Sequence, residues 1–323
     1  MRALIRTGPN KETLSLDTSH PEPLPSSYPN SYIIQTKATA LTRGELTWPE
    51  PLIPEIPVPG FDFAGIIQST PLTPGLQAFK VGDEVYGLGF PFSEKGSARD
   101  LTTMDERELS LKPKGLSWEQ AAAVPLSALT AWQALFTHGK LNPPGQGGNA
   151  GKRVLVTAAS GGVGIWLIQL ARLAGVEVVG TCGPSNVDFV SSLGANVVLD
   201  YTKTDFAKWA TSESNQHHFD LVVDCIGGPT LPEAWKCATQ GGIVVSVAEP
   251  PEPKRPVDGV AAEVKGVWFI VEANREQLDR ITEMIEQGKC RGEIDRVYSL
   301  EEWKEAFERL EGGHARGKVV LKL

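Results

Sequence analysis

The sequence predicts an α/β fold in which a doubly wound parallel sheet is inserted after an irregular β-barrel domain. Three features carry that expectation. Strand-like and helix-like segments alternate regularly from Val154 onward, a glycine-rich turn at 160–164 joins a buried strand to an amphipathic helix, and the first 117 residues are turn-rich with few helical patterns. With 323 residues, 41% of them hydrophobic and 22% charged, the chain can bury a large core, and its length suggests about two domains.

Taken in order, the N-terminal region holds short β-leaning runs at 31–36, 63–68 and 84–88. The texture changes at Ser117, which reads as the N-cap of a helical, Ala-rich run reaching Leu135. After a loop at 142–151, the continuous apolar run 154–159 reads as a parallel strand covered on both faces. Past the glycine-rich turn, Val163, Leu167, Leu170, Ala171 and Ala174 share one helical face, and Gly175 ends the helix. Strands at 176–181, 196–199, 221–224 and 242–247 then alternate with helices near 187–193, 206–211 and 231–238. Beyond Gly266 a strand (267–271), a helix (275–287), a strand (294–297), a helix (300–310) and a closing strand (318–323) are expected to return to the barrel. The expected domains are 1–117, 118–266 and 267–323.

The formal net charge is −8 with no basic run, which argues against nucleic acid as a partner. The N-terminus lacks an apolar core of signal-peptide length, and no stretch approaches the roughly 18 apolar residues of a membrane span, so a cytosolic protein that does not engage membranes is expected. The cysteines Cys182, Cys225, Cys237 and Cys290 are far apart and never form a CxxC pair; they read as small buried hydrophobes, and no structural zinc lobe is expected.

The central signal is Ala158-Ala159-Ser160-Gly161-Gly162-Val163-Gly164. Glycine lets such a turn adopt positive φ and lets a pyrophosphate approach the backbone, while the N–H groups and dipole of the following helix favour its charge. Cofactor choice is read at the end of the next strand, where an acid would accept hydrogen bonds from the ribose of NAD and repel a 2′-phosphate. Here the sequence runs Thr181-Cys182-Gly183-Pro184-Ser185-Asn186, with no acid before Asp188. Ser185 and Asn186 can donate to phosphate, and Tyr201 is placed to join them; the loop holds no Arg or Lys, and NADP(H) is the expected cofactor.

Nearly the whole chain resembles the medium-chain dehydrogenase/reductase superfamily, specifically its zinc-independent branch of quinone oxidoreductases, zeta-crystallin-like proteins and enoyl reductases. The motifs carrying the resemblance appear in order: the loop ATALTRGE at 38–45, PGFDFAG at 59–65, VGDEVY at 81–86, AAAVPLSALTAW at 121–132, the glycine-rich turn, 192–195 with Asp200-Tyr201, 224–228, and the terminal GKVVL at 317–321. The resemblance implies a Rossmann-type sheet inserted after a GroES-like barrel. Zinc-dependent relatives carry Cys, His and Cys at positions that here hold Thr42 or Arg43, Phe61, and Leu126 or Ser127, so no metal is expected. His20, His138, His217, His218 and His314 lie elsewhere, and His217-His218 reads as a solvated loop pair.

The same resemblance implies that Thr42 and Thr130 approach the nicotinamide end of the cofactor. It also implies that Cys225, Ile226, Gly227, Val247, Phe269, Ile270 and Val271 line the loops over it, and that Lys318 reaches it from the terminal segment. Thr42, Arg43, Glu45 and Tyr86 are the polar candidates for chemistry. The expected activity is NADPH-dependent hydride transfer to an activated alkene (an enone or enoyl thioester) or to a quinone. A carrier-protein-dependent enoyl reductase, a carbonyl or alcohol dehydrogenase and a non-catalytic NADPH-binding protein remain as alternatives, and a monomer and a homodimer are both open.

Overall fold

The computed structural model describes residues 1–7, 13–47, 57–89, 96–212 and 218–323. His217 lies outside them. The chain forms two compact units, one from Met1–Leu129 with Glu272–Leu323, the other from Thr130–Val271.

In the first unit, β1 (Ala3–Thr7) and β2 (Thr13–Asp17) form an antiparallel pair. β3 (Tyr32–Leu41), β4 (Asp62–Ser69), β5 (Glu84–Leu88), β6 (Leu101–Met104) and β7 (Leu109–Leu111) form an antiparallel set, followed by α1 (Trp118–Ala122) and α2 (Pro125–Trp132). Ser117 caps α1 with a reciprocal box to Gln120, as its sequence signature predicts. α1 packs on β3 and β4, so the helical texture that begins at Ser117 still belongs to this unit, and the division falls later, within α2.

The second unit contains β8 (Arg153–Val156), α3 (Gly162–Leu173), β9 (Glu177–Cys182), α4 (Val187–Ser192), β10 (Val197–Asp200), α5 (Phe206–Thr211), β11 (Phe219–Asp224), α6 (Thr230–Lys236), β12 (Ala238–Ser246) and β13 (Lys265–Trp268). Its six strands are ordered β10-β9-β8-β11-β12-β13, and all pairings are parallel. The order reverses beside β8, whose carboxyl end leads into the glycine-rich turn; open sheets of this kind take their ligands at that edge. Phe219, Val222, Val244, Leu231 and Trp235 fill one face of the sheet.

The chain then returns to the first unit as α7 (Arg275–Glu286), β14 (Ile294–Ser299), α8 (Trp303–Glu311) and β15 (Lys318–Lys322). β15 pairs antiparallel with β3, setting Val319 opposite Leu41, and the larger sheet runs β14-β15-β3-β4-β5-β7, with β6 also on β3. One expectation needs correction. The strand anticipated at 267–271 is β13, which ends at Trp268 and adds to the edge of the parallel sheet rather than returning to the barrel. A short apolar run does not say which sheet will take it.

Candidate functional site

Within the second unit the site is built on the turn between β8 and α3. Ala158 adopts φ +49°, a conformation that costs a non-glycine residue energy and must be held by its surroundings. They do hold it: the Ala159 N–H donates to Thr181 O at 2.8 Å, and Gly161 N–H to Ala158 O at 2.9 Å. Gly161 is the N-cap of α3 and supplies no side chain, so the first-turn N–H groups face outward beside Ser160, Gly162 and Val163. A Cβ on Gly164 would sit 2.7 Å from Ala159 Cα, so only glycine lets the helix start this close to the strand. The result is a backbone cradle with a positive dipole end, suited to a pyrophosphate.

At the end of β9, Thr181 and Cys182 are buried, and burial pushes the Cys182 thiol up to about 11. Cys182 therefore offers backbone here, its carbonyl accepting from Tyr201 N–H at 3.1 Å. Ser185 is exposed and Asn186 half-buried in a single turn after Gly183, whose open side faces the half-exposed Tyr201 ring. The sequence reading of this loop missed Asp200, which the sheet sets opposite Cys182. Its carboxylate accepts from the Thr202 N–H and hydroxyl and lies 3.7 Å from the Lys203 ammonium. A pairing across strands brings both charges to the loop, and that pairing is invisible along the chain.

The loop after β11 is fixed by Asp224, which is fully buried. It accepts from the Thr157 hydroxyl at 2.9 Å and Gly227 N–H at 2.7 Å, while Thr157 Oγ1 accepts from Cys225 N–H at 2.8 Å. Burial pushes the Asp224 carboxyl up, with the Gly227 N–H opposing. Ile226 is left half-exposed at the tip, and Gly227 takes φ +74°. Val247 N–H bonds Asp224 O, which ties the next strand end to the same carboxylate-bearing residue. Phe269 follows β13 with its ring stacked on His138, Ile270 and Val271 are half-buried beyond it, and Thr130 is buried at the start of this unit.

Within the first unit, the buried Lys318, Asp62 and Glu45 and the half-buried Thr42 form a polar cluster. The Lys318 ammonium lies 2.9 Å from Asp62 Oδ2 and donates to Thr42 Oγ1 at 3.0 Å. Asp62 Oδ1 accepts the Leu126 N–H, and Glu45 accepts from Gly60 N–H at 3.1 Å and Thr42 N–H at 3.4 Å. Burial pushes both carboxyls up, Glu45 to about 7, against the pull of Lys318. The cluster thus contains a carboxyl that gains or loses a proton near neutral pH. In the sequence Asp62 stands out only as part of the 59–65 motif; its partner Lys318 lies 256 positions further on, so the pair needs the β15–β3 register to be seen.

Two of the polar candidates are placed elsewhere. Tyr86 is fully buried, its hydroxyl is bonded to Thr282 of α7 at 2.7 Å, and burial raises its pKa well above the usual tyrosine value, so it fastens α7 to the barrel. Arg43 is exposed, its guanidinium beside Gly313. The side chains at the positions of zinc ligands do not fit that ion: Thr42 is bound to Lys318, Phe61 and Leu126 are apolar, and Ser127 is buried. Among the described residues, no group of three or more His, Cys, Asp or Glu is arranged to hold a metal.

Residues 193–321 match a family model described as zinc-binding dehydrogenase. The chain is 46% identical, over 96% of its length and 93% of the other protein, to a probable zinc-binding oxidoreductase, mitochondrial, of Arthroderma benhamiae. The chain belongs to the medium-chain dehydrogenase/reductase superfamily. It is an oxidoreductase of that superfamily. It is also 33% identical to a mitochondrial NAD(P)H oxidoreductase of Danio rerio, over 82% of this chain and 71% of that one. The solved quinone oxidoreductase of Coxiella burnetii superposes with a TM-score of 0.82 at 28% identity, covering 100% of this chain and 99% of that one. The Danio rerio relative is named for NAD(P)H, which supports a nicotinamide cofactor here, and the backbone turn at Ala159–Gly164 is of a kind suited to a pyrophosphate. The cytosolic expectation is overturned by the same relatives, both of which are named mitochondrial.

Proposed function

We propose that this oxidoreductase uses NADPH and reduces an activated alkene, an enone or enoyl thioester, or a quinone, without zinc. The observation that carries the reading is the residue set at the positions where zinc-dependent relatives have their ligands, Thr42 or Arg43, Phe61, and Leu126 or Ser127, with the Thr42 hydroxyl engaged by Lys318. Those side chains cannot hold the ion that polarises an alcohol oxygen, whereas conjugate reduction needs only a hydride donor, a hydrogen-bond donor toward the developing enolate, and a proton. Bound nicotinamide supplies the hydride.

The chain's own residues take the remaining roles. The N–H groups at Ser160, Gly162, Val163 and Gly164 hold the pyrophosphate, on a turn that the Ala159 and Gly161 N–H groups fix by their bonds to Thr181 O and Ala158 O. Thr42, whose hydroxyl oxygen accepts a hydrogen bond from Lys318, has its own O–H left to donate to the acceptor carbonyl. Glu45, with a pKa near 7, stores a proton in the same cluster. Preference for the 2′-phosphate is supported by Ser185, Asn186 and Tyr201 and by the lack of an acid in the loop that follows β9; Asp200, across from Cys182, is engaged by Thr202 and Lys203. Cys225, Ile226, Gly227, Val247, Phe269, Ile270 and Val271 are assigned to the nicotinamide end, as the family's pattern implies.

The test is a panel of enones, enoyl thioesters and quinones assayed with NADPH and with NADH after metal chelation. Turnover with NADPH on at least one class is expected to survive the chelator. Activity lost on chelation and restored by zinc overturns the zinc-free reading, and preference for NADH overturns the cofactor reading.

A further inference from the structure

The helix that starts at Pro125 does not end as an α-helix. From Gln133 to His138 it widens into a π-helical turn, in which Gly139 N–H donates to Ala134 O, five residues back, at 2.8 Å. Such a turn inserts one residue and swings the side chains beyond it by roughly 100° relative to an α-helical continuation. The widened turn is fixed on both sides. Trp132 meets Phe136 edge-to-face at 4.9 Å, and Gly139 comes so close to Leu221 of β11 that a Cβ would lie 2.5 Å from Leu221 Cδ2. Lys140 takes φ +58° immediately afterwards, and its ammonium bonds Thr137 O at 2.7 Å.

The consequence is the placement of one ring. The His138 imidazole stacks on Phe269, with centroids 4.3 Å apart and planes at 29°. Phe269 is the first residue after β13, at the carboxyl edge of the parallel sheet, beyond Trp268, which pairs with Ser246. This is the edge at which the turn before α3 and the loops after β11 and β12 also end. Residues 269–271 belong to no strand or helix, so their conformation depends on side-chain contacts. His138 is half-buried rather than sealed in the core.

We propose that His138 is a positioning residue for the cofactor: its ring holds Phe269, and with it the 269–271 segment, in the arrangement that receives the nicotinamide end of the dinucleotide. This rests on the nicotinamide reading given under Proposed function. A segment that samples other conformations binds with an affinity reduced by the fraction of time it is competent, and a stacked aromatic pair shifts that equilibrium roughly two- to tenfold toward the competent arrangement, which sets the largest affinity it can add. The π-turn is the device that aims the ring, which gives a physical reason for an irregularity in the helix at this point.

The test compares H138A and H138F with the wild type using two probes: NADPH, and 2′,5′-ADP, which carries the adenosine half without nicotinamide. H138A is expected to weaken NADPH binding roughly two- to tenfold, the range expected for loss of one aromatic pair. It should leave 2′,5′-ADP affinity within about twofold, and H138F should recover NADPH affinity because a planar ring is restored. With a substrate present, the loss should raise the KM for NADPH more than it lowers kcat. If H138A does not fold, H138Q, of similar size but without an aromatic face, replaces it. The proposal is overturned if H138A binds NADPH as the wild type does, if both probes weaken equally, or if H138F remains as weak as H138A. A wild type that binds neither NADPH nor NADH is a separate result: it removes the dinucleotide reading itself, and the proposal with it.

Discussion

Glu45→Gln is expected to stabilise the protein at neutral and alkaline pH while leaving it nearly unchanged in mild acid. In the folded protein Glu45 is 4% exposed, accepts N–H groups from Gly60 and Thr42, and shares its surroundings with Asp62, Lys318 and the buried Arg6 guanidinium. Burial raises its pKa from 4.5 to about 7, so the folded state holds a proton there that the unfolded chain releases. Such a group contributes most below pH 4.5, and its contribution is lost as pH rises through about 7, because folded ionisation requires a charge to be buried. The rise from 4.5 to about 7 is ~2.5 pH units, which at ~1.4 kcal/mol each amounts to about 3 kcal/mol. Gln keeps an acceptor for Gly60 and never ionises. Urea unfolding of both proteins at intervals from pH 4.5 to 8 reads the difference, which should grow with pH to between 1 and 3 kcal/mol (order of magnitude) in favour of the variant. A difference that is constant across the range, or that favours the wild type increasingly with pH, refutes the account of a buried, proton-holding carboxyl.

Three further substitutions probe other parts of the site. Lys318→Met should destabilise the protein by about 3–5 kcal/mol in urea unfolding at pH 7, because it leaves the fully buried Asp62 carboxylate without its cation; a loss under about 1 kcal/mol contradicts the assigned pair. Ser185→Asp should invert or flatten the preference for NADPH over NADH in fluorescence titrations, by repulsion of the 2′-phosphate, and an unchanged preference places the phosphate elsewhere. Thr42→Ala should lower kcat by more than it weakens NADPH binding if its hydroxyl serves the reacting substrate; an unchanged rate removes Thr42 from the chemistry.

The parts of the fold that were legible in the sequence are those set by local pattern. α5 lies at 206–211, as its pattern predicts, the capping box at Ser117 forms, and the glycine-rich turn stands between a buried strand and an amphipathic helix because glycine, strand burial and helical periodicity all mark the chain locally. What could not be read depends on pairing between distant segments. Asp62 meets Lys318 only because β15 joins β3, Asp200 reaches the cofactor loop only because β10 lies beside β9, and Trp268 belongs to the parallel sheet only through β12. Tyr86 shows the limit from the other side: a polar residue in a recognisable motif whose hydroxyl is engaged by a helix arriving from near position 280. The π-turn at 133–138 carries no residue signature, since Gln-Ala-Leu-Phe-Thr-His would suit an ordinary helix equally well.

The claim that this chain is a metal-independent conjugate reductase is tested most directly by following one hydrogen. With NADPH carrying deuterium at the transferable C4 position and an enone as substrate, in chelator-treated enzyme, the label is expected at the β-carbon of the saturated ketone, while the new hydrogen at the α-carbon comes from solvent water. Deuterium found instead on the carbinol carbon of an allylic alcohol contradicts the account and makes the protein a carbonyl reductase.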